Sequence, residues 1–175
     1  MDELTSKPPS ARTPRLAPNL GPGRALRPDP APRPGLSPGL SIVQPEDWAV
    51  PRGYSNGVMA APGHRLLAVA GQIGWGPDGT LVEPPGGMDH FVCQFAQALQ
   101  NVAAVVKAAG GTPADVLSLR IYVTDKRRYI QQQTAIGVAY RAVFGKHYPA
   151  MALLQVADLL EEGALVEIEA LAALP

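Results

Sequence analysis

Eleven of the nineteen prolines lie at or before Pro45, and no apolar pattern of period 2 or 3.6 runs through the stretch they occupy. Proline fixes φ and removes an amide donor, so this density opposes both helix and sheet. Arg12, Arg15, Arg24, Arg27 and Arg33 lie there against only Asp2, Glu3 and Asp29. A polar segment without apolar periodicity cannot bury enough surface to offset the entropy of ordering it. Residues 1–40 therefore read as a disordered Pro/Arg-rich tail, and 41–175 as a single domain. A nucleic-acid arm wants aromatics to stack on bases, and the tail has none. An organelle transit peptide wants an amphipathic helix, which the prolines oppose.

The remainder is apolar enough to build a core, at 46% for the whole chain, and charge is balanced at 15 basic against 15 acidic residues. Such balance gives no general pull toward nucleic acid or an anionic membrane, so neither is expected as a partner. Cys93 is the only cysteine, which excludes a disulfide within one chain and fits a reducing, cytoplasmic setting. No apolar run is long enough to span a bilayer, and the N-terminus lacks the apolar core of a secretory signal.

Patterning predicts a short strand over 41–44, a loop bracketed by Pro45 and Pro51, and a hairpin of strands 54–60 and 65–73 turning at residues 61–64. Glycine and proline between residues 74 and 87 mark a loop. Phe91, Phe95, Leu99, Val102 and Val106 recur at three- and four-residue steps, predicting a helix over 88–109 that stops at Gly110-Gly111. A capped single turn at 112–115 and a strand over 116–124 follow. A second helix is expected over 126–144, capped by Asp125 and ended by Gly145. Strands over 150–156 and 164–173 close the chain. This order predicts an α+β layer, with a mixed sheet carrying both helices on one face. Apolar residues on both parities, among them Met151, Leu153 and Leu154, call for a cover on the other face and hence an oligomer.

The segments Gly53-Tyr54-Ser55-Asn56-Gly57, Ala70-Gly71-Gln72-Ile73, Tyr122-Val123-Thr124-Asp125, His147-Tyr148-Pro149-Ala150 and Ala164-Leu165-Val166-Glu167-Ile168-Glu169-Ala170 carry a resemblance. In this order and at these spacings, residues 42–174 resemble the RidA/YjgF family of imine and enamine deaminases. The resemblance implies a chorismate mutase-like fold and a homotrimer. Three sheets would close a central β-barrel, with helices outside and clefts between subunits. In active members an imine or enamine derived from an amino acid is hydrolysed to a ketoacid and ammonia, with no metal or organic cofactor.

By the same resemblance Tyr54 lines the cleft, Gly71 turns its backbone to the ligand, and Glu167 holds the attacking water. A carboxylate suits that last role because it accepts a hydrogen bond from water and can take its proton. Each also has a structural reading: Tyr54 packing at the subunit seam, Glu167 pairing with a base on a neighbouring strand, Gly71 fitting a close backbone approach. Active members carry Pro-Ala-Arg where this chain has Pro149-Ala150-Met151, and often a cysteine where Leu153 stands. The arginine would clamp a substrate carboxylate with two hydrogen bonds, and methionine offers no donor. Losing a charge-assisted contact should weaken an anionic substrate at that position by about tenfold to a hundredfold. One cation is placed to compensate. Alternation puts Ser118, Arg120 and Tyr122 on the strand face away from the helices, where Arg120 either binds a carboxylate or pairs with Glu167 or Glu169.

His64, His90, His147 and Cys93 lack metal-ligand spacing, so no metal is expected. Trp75 fits either a wall of the cleft or rim packing. The glycines around it lack phosphate-loop order. Lys126, Arg127 and Arg128 read as a solvated helix face, and no nuclease constellation is present. The sequence thus points to a small-molecule hydrolase or deaminase acting on an imine, enamine or related C=N compound other than the usual 2-iminoacids. The alternative is a non-catalytic trimer of the same fold that binds a ligand or partner.

Overall fold

The structure is a computed structural model that describes residues 35–175. Most of the expected tail, residues 1–34, lies outside the described residues. The chain already packs before residue 41: the Ser37 amide donates to the Ala114 carbonyl at 3.4 Å, and Leu40 is buried.

Among the described residues, six strands and three α-helices run in the order β1 (Leu40–Val43), β2 (Gly57–Ala60), β3 (Arg65–Ile73), α1 (His90–Ala108), β4 (Val116–Val123), α2 (Lys126–Gln131), α3 (Gln133–Phe144), β5 (Ala150–Gln155) and β6 (Val166–Leu174). A short 3-10 turn at Pro113–Asp115 leads into β4. Strands β3-β6-β4-β5 form a mixed sheet, antiparallel except for the parallel pair β4–β5. Helices α1 and α3 bury its Val166, Ile168, Ala170 and Ala172 face, together with Leu119, Ile121 and Val123.

The first helix forms as its sequence dictates. The Asp89 carboxylate accepts from the Phe91 and Val92 amides and caps it, and Phe91, Phe95, Leu99, Val102 and Val106 are each no more than 1% exposed. Fully burying side chains of this size is worth roughly 1.5–3 kcal/mol each against leaving them in water, so this stripe fixes α1 on the sheet. Gly110, at φ 89°, stops it.

Three expectations are corrected. Strands 54–60 and 65–73 do not form a hairpin: β2 is shorter, begins at Gly57 and pairs with β1, while β3 pairs with β6. The two-residue-period patterns of β2 and β3 suit either arrangement, and partner choice is made by contacts distant in sequence. The second helix is two helices, broken at Gln132, whose ψ of 12° leaves the helical range. Ile136, Tyr140 and Phe144 bury α3 in the core, whereas α2 has no fully buried residue and reaches the core through Tyr129, which packs on Phe95 at 6.0 Å. The last strand begins at Val166 rather than Ala164.

Candidate active site

The far face of the sheet, away from the helices, holds Arg120, Tyr122, Glu167 and Glu169, while Met151 and Leu153 pair with Leu119 and Ile121 on the helix side. Pairing sets Arg120 opposite Glu169 and Tyr122 opposite Glu167, and alternation along β4 and β6 points all four away from the core. The Arg120 guanidinium Nη1 approaches Glu169 Oε2 at 3.5 Å, and the Tyr122 hydroxyl donates to the same oxygen at 3.3 Å. Partial burial first, and then the Glu169 carboxylate, push the Tyr122 hydroxyl above its ordinary range; Glu167 adds to this and Arg120 opposes it. Tyr122 therefore remains a donor. Of the two partners offered to Arg120 by the sequence, the structure selects Glu169.

Glu167 sits against Gly71 for a reason visible in the register. Val69 pairs with Ala170 and Gln72 with Ile168, so β3 spends three steps where β6 spends two. The extra residue makes a bulge at Ala70-Gly71. A β-carbon built on Gly71 would overlap Glu167 Oε1. The absent side chain leaves the room that the carboxylate occupies.

Tyr54 and Met151 meet through a separate anchor. The Ser55 amide donates to the Pro149 carbonyl at 2.9 Å, and its hydroxyl donates to the Tyr148 carbonyl at 2.6 Å. This ties residues 54–56 to the start of β5. A cleft of about 340 Å3 opens there, lined by Tyr54, Ser55, Asn56, Ser118, Arg120 and Met151 among others. Met151 also packs against the core cluster. Leu153, two residues on and of the same parity, is 36% exposed and stands outside this cleft. The structure thus joins Tyr54, Arg120 and Met151 in one cleft and joins Glu167 to Gly71 beside it. Tyr122 and Glu169 complete the polar cluster. Tyr122 was placed on this face by alternation, but its bond to Glu169 required the cross-strand register. Ser55 and Asn56 carried no signal beyond lying in a matching segment.

Other conspicuous groups fall elsewhere. The buried His147 donates through Nε2 to the Val116 carbonyl at 2.7 Å, and Arg128 pairs with Asp89 at 3.0 Å. Burial, with the nearby Glu83 adding, raises the Cys93 thiol, so it stays protonated rather than nucleophilic. Among the described residues, no three His, Cys, Asp or Glu side chains gather as a metal site requires, and no helix is long and apolar enough to cross a membrane.

Fold and site define the class: an α+β protein with helices on one face of a mixed sheet and, on the other, a carboxylate seated on a strand bulge beside an open cleft. The family model described as Endoribonuclease L-PSP matches residues 47–174. A 2-iminobutanoate/2-iminopropanoate deaminase of Capra hircus is 36% identical over 120 residues, covering 68% of this chain and 78% of its own. RutC family protein UK114 of Drosophila melanogaster is 34% identical over 119 residues, with the same coverages. The crystal structure of YyfB, a Rid-family protein of unknown function from Yersinia pestis, superposes with a TM-score of 0.66 at 36% identity, covering 78% of this chain and 99% of that one. The chain belongs to this family, RidA/YjgF.

Proposed function

We propose that this protein hydrolyses an imine, enamine or related C=N compound to a carbonyl compound and ammonia, with Glu167 as the base that activates water. The observation that carries the reading is the seating of the Glu167 carboxylate on the Gly71 bulge, facing away from the core. Water hydrogen-bonded to Glu167 attacks the carbon, forming a C–O bond while the C=N π electrons move to nitrogen. The proton released by water passes to Glu167 and then to nitrogen. The hydroxyl proton then passes through Glu167 to the amine nitrogen, the oxygen electrons form the C=O bond, the C–N bond breaks and ammonia leaves. Tyr54 lines the binding cleft, and the Gly71 backbone faces the ligand. Met151 leaves no cation at the usual clamp position, with Leu153 beyond it on the same strand. The 2-iminoacids named for the relatives would therefore be poor substrates here.

We further propose a homotrimer closing a central barrel. Leu66, Leu154 and Leu171 lie on the open sheet face at 70%, 45% and 37% exposure, an apolar surface that a second copy would cover. The buried, unpaired Cys93 fits a cytoplasmic setting. Met151 also favours a second reading, a trimer that binds a small ligand without turning it over.

Glu167→Gln separates the two readings. It keeps size and an acceptor oxygen but removes charge and basicity. Against a panel of carboxylate-bearing and neutral imines generated in place by oxidases, the variant should lose about a hundredfold or more in turnover, while affinity for the carbonyl product changes little. Unchanged turnover in the variant would remove Glu167 from the mechanism. A wild type inert across the panel favours the binder.

A further inference from the structure

The 340 Å3 cleft contains a single charged lining residue, Arg120. Hydroxyl and amide groups of Tyr54, Ser55, Asn56 and Ser118 share the lining with the apolar Leu119, Met151, Ala150 and Ala152. A cation set among neutral groups in an open cleft is an anion seat provided that its existing partner does not consume it.

Glu169 does not consume it. Their contact is a single approach of 3.5 Å, longer than a good charge-assisted bond, and the Arg120 side chain is 67% exposed. Guanidinium carries five N–H donors, and this is its one hydrogen bond to a side chain among the described residues. Glu169 retains the Tyr122 hydroxyl on the same oxygen if Arg120 turns away. Arg120 also lines a second, smaller hollow with Glu169, Ala68 and Leu171, so it stands on the boundary between the carboxylates and the larger cleft. The seat for an incoming anion is therefore the cleft side of Arg120, where the other lining residues are neutral, away from Glu167 and Glu169.

We propose that Arg120 is the specificity-determining residue of this site, and that it holds an anionic group of the substrate remote from the C=N carbon rather than bonded to it. The proposal rests on the hydrolase reading for the position of the reacting carbon beside Glu167. Arg120 belongs to the row of Glu169 and Ala152, and Glu167 to the row of Tyr122. Adjacent same-face rows are two residues apart, about 6.5–7 Å along the strands. The cleft extends from the Arg120 row to Ser118 and Ala150, farther still from Glu167. In a 2-iminoacid the carboxylate is bonded directly to the C=N carbon and does not span these rows. A chain of two or more carbons between the C=N carbon and the acid does.

Equilibrium binding of three stable carbonyl compounds to the full chain tests this: 4-oxopentanoate, with its acid remote, 2-oxopentanoate, with its acid adjacent, and neutral 2-pentanone. The expected result is that 4-oxopentanoate binds about tenfold or more tightly than 2-pentanone, with 2-oxopentanoate close to the neutral ketone. Arg120→Gln should bring 4-oxopentanoate down to the neutral ketone and leave 2-pentanone unchanged. Arg120→Lys should keep part of the preference, and Glu169→Gln, which frees the guanidinium, should increase it. These two variants serve as the test should Arg120→Gln fail to fold. The proposal is overturned if 2-oxopentanoate binds as tightly as 4-oxopentanoate, or if the Arg120 and Glu169 variants shift all three ligands equally. Absence of turnover with the binding order intact would count against hydrolysis and leave the anion seat standing.

Discussion

His147 is the buried side chain whose protonation state responds to pH near neutrality. It is 3% exposed, and burial holds its pKa below the ordinary 6.5, with the Val116 carbonyl and the Asp115 charge opposing. A depressed folded-state value means that the unfolded chain takes up the proton first. The stability from a neutral His147 is complete above about pH 6.5 and is lost as pH falls below it. The melting temperature should therefore decline as the pH falls below about 6.5. In His147→Gln it should start lower and decline less. Parallel curves for the two proteins would remove His147 as the cause. The effect should reach the site, because the Tyr140 hydroxyl donates to the His147 carbonyl at 2.8 Å, Tyr140 stacks on Tyr148 at 5.4 Å, and the Tyr148 carbonyl anchors Ser55 beside Tyr54.

At the scale of elements, α1 does more than cover the sheet. Gln94, fully buried, donates through Nε2 to the Gly163 carbonyl at 2.9 Å and accepts from the Leu165 amide at 2.8 Å. It thereby fixes the entry to β6 two residues before Glu167. Asn101 Nδ2 donates to the carbonyls of Ile73 and Trp75 at 3.0 and 2.9 Å, fixing the exit from β3 just after Gly71. Both partners of the bulge are thus held from the same helix. Gln94→Leu keeps the volume but removes both bonds to the part-buried loop backbone at Gly163 and Leu165, a cost of about 1 kcal/mol or more. Chemical denaturation should register this as a lower midpoint with unchanged slope, and a midpoint equal to wild type would contradict the clamp. The helix itself was legible because its apolar stripe and its Gly110-Gly111 stop are local signals, whereas its Asp89 cap was not picked out. The break at Gln132 was not legible: three- and four-residue spacing continues through it, and the backbone departs from the helix there at ψ 12° without a glycine or proline to mark it.

For the whole molecule, the open sheet face is the feature that one copy leaves unresolved. In the proposed trimer a second copy covers the apolar part of that face around Leu66, and a charge placed there has to be buried on assembly. Leu66→Glu, at a position 70% exposed in one copy, should fold and dissociate to monomers. Light scattering after size exclusion reads this directly, and a variant that stays trimeric would place the interface elsewhere. The amino-acid sequence by itself determined where the core-forming elements lie, because helix stripes, caps and strand alternation depend on neighbours within a few residues. It also determined that Arg120, Tyr122 and Glu167 share a face with Glu169, since alternation is a local property of extended chain. Tertiary structure alone decided which strands meet, pairing β2 with β1 rather than β3, and decided the registers that set Arg120 opposite Glu169 and Glu167 against Gly71. Register is fixed by bulges, turns and packing contributed by segments far apart in the chain, and a one-residue slip would send every one of these side chains to the opposite face.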